Sequence, residues 1–278
     1  RCEIARERIP EIGDFRAFQK AVRDKRSEAT RVCYSEQILS KFPDALIGNY
    51  GVYPNDGYRY WYDYFEVFVD YHPHKMEQRA PYREWPDDWP QTGYTFAMPV
   101  VYPWARIFGW YDFANTDYRW FYNMLKVATN AAKNTGRSIP IIPFVHYHTI
   151  FHPDEPDPTV TQMSEWAYQE LLWHMLLRGV DTFFLWCAEE ENVVEVRLLH
   201  EVWAASLEYA NYLNRGTPIT FELPDQAGTV VSGLRLGEKV LIRRSDFDDE
   251  AHPVTITVDG RLLTVQQAEN RCQILSLD

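Results

Sequence analysis

Basic residues are in short supply: 28 Lys and Arg stand against 40 Asp and Glu, for a formal charge of −12. A duplex binder needs cations to displace counterions, so this balance excludes nucleic acid as a partner. It also disfavours a strongly polyanionic ligand unless a local basic patch offsets the field. Cysteine is scarce as well. Cys2, Cys33, Cys187 and Cys272 have no metal-type spacing and are too few for a disulfide scaffold, which leaves room for one or two bridges. A bridge between Cys2 and Cys33 would mark an oxidising compartment. No apolar run reaches the ~18 residues that a membrane span needs. No signal peptide opens the chain, but RCEIARERIP is not a natural start, and processing or truncation removes such a segment.

What the chain has in quantity is aromatic side chains, 15% of 278 residues. Many sit beside Pro, Gly, Asn or Asp rather than in smooth apolar stripes. Large α/β cores use many aromatics, and flat aromatic platforms also stack sugar rings. Four apolar runs end in aromatics or histidine: ALIGNYGVYP, TFAMPVVYPW, IPIIPFVHYH and VDTFFLWC. Each reads as a buried parallel strand, at 44–50, 95–102, 139–147 and 181–187. Helices are expected around them: amphipathic stretches over 14–40, a helix capped by Thr116 or Asp117 and stopped by Gly136, one capped by Ser164 and ended by Gly179, and one over 194–213 closed by Gly216. The excursion from Tyr53 to Gly93 shows no period and reads as a long loop, with a short helix placed around 58–70. This strand, loop, helix rhythm belongs to a parallel sheet with right-handed crossovers.

From Pro218 the pattern changes to short alternating strands, GTVVSGLRL, EKVLIRRSDF, PVTITVDGRLLTVQ and RCQILSLD, with Asp259–Gly260 as a hairpin marker. The expected fold class is therefore α/β: a (β/α) barrel over residues 1–217, followed by a small antiparallel β-sandwich over 218–278. A closed barrel has about eight strands, and four are found here, so the chain is expected to hold the C-terminal half. The rest would come from a missing N-terminal barrel segment, a second chain or a homo-oligomer, because an open sheet exposes two unpaired edges.

In such folds substrate binds at the strand tips. At the first tip Gly48 and Gly51 flank Tyr50, and Pro54, Asn55, Asp56 and Tyr58 follow; a phenol held there can donate where oxygen charge develops, while a Tyr in an ordinary turn is the plainer alternative. The second tip gathers Tyr102, Trp104, Trp110, Tyr111 and Asp112. At the third, strand alternation sends His146 and His148 to one face and Tyr147 to the other. That pair lacks the rest of a metal pattern, and hydrogen bonding to hydroxyls or a structural role is the expectation; neither metal nor cofactor is expected. Trp186 ends the fourth tip as a floor for a sugar ring, followed by Glu189, Glu190 and Glu191. Glycoside hydrolysis uses paired carboxylates about 5–10 Å apart, and Asp56, Asp112 and one of these glutamates could supply them.

Taken in order, the tips resemble the C-terminal half of the hyaluronidase type of glycoside hydrolase. GNYGVYPNDGY is similar to its WGYYxFPDCY-like tip, FAMPVVYPW to its YPSIY-like tip, IPIIPFVHYH to its PVxPYxxxxY-like tip and LLRGVDTFFLWC to its GAxGxVLW-like tip. The likeness covers roughly residues 30–190. It departs at Phe144, where that family has a site Tyr, at His146 and His148, and in the cysteine absent from the first tip. It implies a TIM-barrel fold in which Tyr50, Tyr102 and Trp186 line the cleft, with Tyr58 and Asp56 at its edge. A substrate acetamido group is the nucleophile in that family, held by a Tyr at the position of Tyr102. The acid is a Glu in an Asp-x-Glu that would precede Arg1. The expectation is thus a glycosidase with Tyr102, Tyr50 and Asp56 catalytic. Tyr58, Trp104, Asp112, His146, His148, Trp186 and Glu189 would bind a polysaccharide or oligosaccharide, in an extracellular or periplasmic setting. The alternatives are a polysaccharide lyase using Tyr and His and a non-catalytic glycan-binding protein.

Overall fold

A computed structural model of the chain describes residues 28–48, 50–51, 94–101, 113–135, 139–148, 161–185, 192–248, 252–268 and 271–277. Four short parallel strands come first: β1 (Tyr50–Gly51), β2 (Met98–Val101), β3 (Phe144–Val145) and β4 (Phe184–Leu185). They pair in sequence order, with Tyr50 opposite Met98, Val101 opposite Val145 and Val145 opposite Leu185. Gly48 leaves room for a close approach before β1, since a Cβ there would lie 2.3 Å from Cζ of the Phe96 ring.

The (β/α) barrel expected from the sequence is not what the described residues form. They make an open parallel sheet together with antiparallel sheets, and no closed barrel. Sequential parallel order is common to a barrel segment and an open sheet, so the strand pattern could not separate them. The helices do. A barrel helix shows its outer side to water, whereas the central helix here is covered on both sides.

Helix α1 (Thr116–Thr135) lies along β2. Its cap is Asn115, whose Oδ1 accepts the Tyr118 N–H at 2.9 Å, rather than the expected Thr116 or Asp117. Asp117 instead reaches across to Ser164, accepting its N–H at 2.8 Å and its hydroxyl at 2.6 Å. Ser164 in turn caps α2 (Glu165–Leu176) as the sequence predicts, its Oγ accepting from the Ala167 N–H at 3.1 Å. The helix unwinds into Gly179 at φ 98, a left-handed position suited to glycine. The last predicted helix is broken into α3 (Asn192–Ser206), a 3₁₀ turn and α4 (Ala210–Arg215). Of the first helical region, residues 28–31 are α-helical and Val32–Leu39 form a π-helix.

The remaining strands are β5 (Thr217–Pro218), β6 (Thr229–Leu236), β7 (Lys239–Asp246), β8 (Val254–Val258), β9 (Arg261–Val265) and β10 (Gln273–Ser276). Their sheet order is β10-β7-β6-β5, with β8–β9 a separate hairpin. The hairpin turns at Asp259 and Gly260, with φ 48 and 79, as the sequence marker predicts. The expected sandwich is corrected at this level too. The four-stranded sheet does not reserve its inner face for the hairpin; it is buried on both faces. Val240 and Ile242 join the apolar cluster with Val258 and Val265. On the other face Leu241 packs on Leu177 of the α2 terminus. Val230 and Phe247 enter the main core with Tyr118, Phe121 and Leu171. Phe247 packs 4.6 Å from Phe121 and 5.1 Å from Tyr118, ring centre to ring centre. Helix α2 is thus held between α1 and α3 on one side and β6–β7 on the other. This explains why residues all round it, from Ala167 to Leu176, are buried.

Candidate functional site

The last described positions of strands β2, β3 and β4 lie side by side, at Val101, Val145 and Leu185. Ligands of parallel α/β sheets bind outside these carboxyl ends. The residue after β3 is His146, only 6% exposed. Its Nδ1 lies 3.4 Å from Oε2 of Glu195 on α3. The other oxygen of Glu195, Oε1, accepts the hydroxyl of Tyr168 from α2 at 2.7 Å. Glu195 is 1% exposed, so a carboxylate taken from water here is compensated by a phenol donor and a facing imidazole. Burial is the first cause that pushes the Tyr168 phenol well above its usual range. The charge of Glu195 and the hydrogen bond to it follow. Tyr168 therefore stays protonated and acts as a fixed donor.

Around this pair the rings pack tilted or edge to face. Tyr147 is 5.2 Å from Tyr168 and 5.3 Å from His148, and His148 is 5.4 Å from His146. The Tyr147 carbonyl accepts from Nε2 of Gln162 at 2.9 Å. The expected alternation, with the histidines on one face and Tyr147 on the other, is superseded because β3 ends at Val145. Past that point His146 and Tyr147 both reach the Tyr168–Glu195 pair. Among the described residues no group of three or more His, Cys, Asp or Glu could hold a metal ion. An imidazole backed by a carboxylate can move a proton or bind a hydroxyl, and that is the chemistry this cluster offers.

Of the residues the sequence nominates, His146 and His148 fall in this cluster, and the backbone of Tyr50 is β1 itself. Tyr102, Asp56, Tyr58, Trp104, Asp112, Trp186 and Glu189 lie outside the described residues. Phe144, which stands where the hyaluronidase pattern has Tyr, stacks on Phe184 at 5.2 Å. Sequence reasoning missed Glu195 and Tyr168. The signal for Glu195 was present: it precedes Leu198 and Val202 at helical spacing, and both are buried. A lone carboxylate on an apolar stripe needs a partner.

Elsewhere in the described region Cys33 and Cys272 are free thiols, and no helix is long and apolar enough to cross a membrane. Compared with protein-family models, with curated proteins and with solved structures, the chain matches none of them.

Proposed function

We propose that the chain is a carbohydrate-active enzyme of the glycoside hydrolase class, taking a polysaccharide or oligosaccharide at the carboxyl ends of β2, β3 and β4. One observation supports this reading above the rest. Val101, Val145 and Leu185 are in register on the three strands, and the sequence continues from them with Tyr102, His146 and Trp186. A phenol, an imidazole and an indole supply a hydrogen-bond donor, a proton carrier and a flat stacking surface, the set that a sugar ring requires. Water adds across the glycosidic bond, and within this chain the carboxylates proposed for that step are Asp56, Asp112 and one of Glu189, Glu190 and Glu191. Glu195 accepts from Tyr168 on one oxygen and faces His146 with the other, so its proposed role is to orient His146.

The His146–Glu195 pair favours a second reading, a polysaccharide lyase in which Tyr and His remove the C5 proton of a uronic acid and protonate the leaving oxygen. A panel of neutral and uronic-acid glycans separates the readings. New reducing ends without ultraviolet absorbance indicate hydrolysis; an absorbing unsaturated product indicates the lyase. Retained binding with no turnover would leave a glycan-binding protein. On a substrate so identified, Tyr102→Phe is expected to lower kcat by about 10²–10³-fold, the effect of removing one oxyanion donor. Unchanged turnover would remove Tyr102 from the mechanism.

A further inference from the structure

The β8–β9 hairpin and the four-stranded sheet leave between them a cleft of about 610 Å³, far from the His146 cluster in sequence. Its walls include Thr229 and Val231 of β6, Val254 to Thr257 of β8, and Glu222. Strand register fixes which backbone groups look outward here. The two-residue turn sets Val258 opposite Arg261, and that closing pair exchanges hydrogen bonds. Counting back by twos, Ile256 and Val254 also bond to β9, while Thr255 and Thr257 direct their N–H and C=O to the outer edge. On β6 the closing pair is Leu236 and Lys239. Leu234, Ser232 and Val230 therefore face β7, and Arg235, Gly233, Val231 and Thr229 face away. The Ile219 N–H, which donates to the Gly233 carbonyl at 3.0 Å, agrees with that count. Pairing with β5 covers only Leu234 and Arg235. Among the described residues, nothing bonds to the outward backbone groups of Thr229, Val231, Thr255 or Thr257.

Among the described residues, two open strand edges thus line one cleft. Exposed edges are ordinarily blunted by charge, proline or a bulge. Strand β8 reads VTITV, with a β-branched residue at every position and none of those protections. We propose that the cleft binds an extended polypeptide strand from a partner protein, added to the outer edge of β8, with a Lys or Arg set against Glu222. Backbone bonds from Thr255 and Thr257 would hold the strand, and its alternate side chains would enter the apolar wall of Ile219, Leu223 and Val231. The exposed Glu222, on a chain of net charge −12, selects a basic residue at the mouth. At about 3.3 Å per residue, the four cleft-lining positions of β8 seat a strand of roughly that length.

The test is selection of short random peptides on a display library against the immobilised full chain, followed by synthesis of the enriched sequences. The expected winners alternate β-branched residues and carry Lys or Arg. They should protect the Thr255 and Thr257 amides from hydrogen exchange. Thr255→Pro removes an outward N–H without touching a bond to β9, and is expected to weaken binding by about tenfold or more. Glu222→Gln, on an exposed side chain, should weaken the basic peptides selectively, and it serves if the proline variant does not fold. No enrichment over a blank surface, or enriched peptides that leave both amides exchanging freely, would overturn the proposal. So would a dimer seen by light scattering that competes with the peptides, since the occupant would then be a second copy.

Discussion

Glu170 on α2 and Arg243 on β7 show how much a single side chain carries here. Their side chains are 3% and 4% exposed. Arg243 donates to Glu170 through Nε at 2.7 Å and through Nη2 to the second oxygen, and it lies 4.7 Å over the Trp173 ring. Burial acts to lower the Arg243 guanidinium, but the hydrogen bonds and charge of Glu170 outweigh it, and the group ends above its usual range. Removing one partner of such a pair strands the other charge. Glu170→Gln should therefore cost about 3–5 kcal/mol in urea unfolding, and a Glu170→Gln, Arg243→Met double variant should recover much of it. A double-variant loss equal to the sum of the Glu170→Gln and Arg243→Met losses would show that the pair is not coupled. None of this was legible in the sequence. Glu170 and Arg243 are 73 residues apart, and each reads as an ordinary polar position in its own element. His146 was legible because a strand tip is a local feature. Glu195, its partner, was legible only as an anomaly in helical spacing.

At the scale of elements, α2 and the sheet meet through a directed chain of hydrogen bonds. Arg178 Nε donates to Ser232 Oγ at 2.8 Å. Ser232 Oγ is 2.7 Å from His174 Nδ1, and His174 Nε2 is 2.8 Å from Ser245 Oγ. Ser245 then donates to Glu170 at 2.5 Å. Each proton is used once if His174 is neutral, with its hydrogen on Nε2. Burial pulls His174 well below its usual value, and the charges of Arg178 and Arg243 push the same way. A histidine depressed in the fold takes up a proton more readily when unfolded. Its contribution to stability is therefore complete above the unfolded value of about 6.5, and falls with pH by up to about 1.4 kcal/mol per unit until the folded value is reached. Urea midpoints measured from pH 8 down to 5 should follow that slope, and His174→Gln should flatten it. An unchanged slope in the variant would assign the acid sensitivity to other groups. Local sequence did predict much at this scale, including the Ser164 cap, the Gly179 stop and the Asp259–Gly260 turn, because caps and turns depend on residues a few positions apart. The parallel strands proved shorter than their apolar runs. Among the described residues β3 covers only Phe144–Val145 and β4 only Phe184–Leu185, while single backbone bonds and the Ala97–Ile141 bridge continue the pairing toward the start of each run.

For the whole molecule, the consequence is a shared core. Phe247 and Val230 of the antiparallel sheet lie in the same apolar cluster as the buried faces of α1 and α2, and the polar chain through His174 crosses the same boundary. Unfolding the sheet alone would expose Glu170, His174 and Arg178 without partners. The chain is therefore expected to melt in one step, with tryptophan fluorescence and far-ultraviolet circular dichroism giving coincident transitions. Two separated transitions would mean that the helical region and the C-terminal strands fold independently. By itself, the sequence determined the acidic balance, the parallel and then antiparallel order of elements, their caps and turns, and His146 at the end of a strand. These follow from composition and from interactions between near neighbours. Only the tertiary structure decided that the described parallel strands form an open sheet, that α2 is covered on both sides, that Glu195 and Tyr168 stand behind His146, and that two strand edges face one cleft. Each of these joins residues far apart in the chain, and such pairings are set by which buried surfaces and polar groups can be satisfied together.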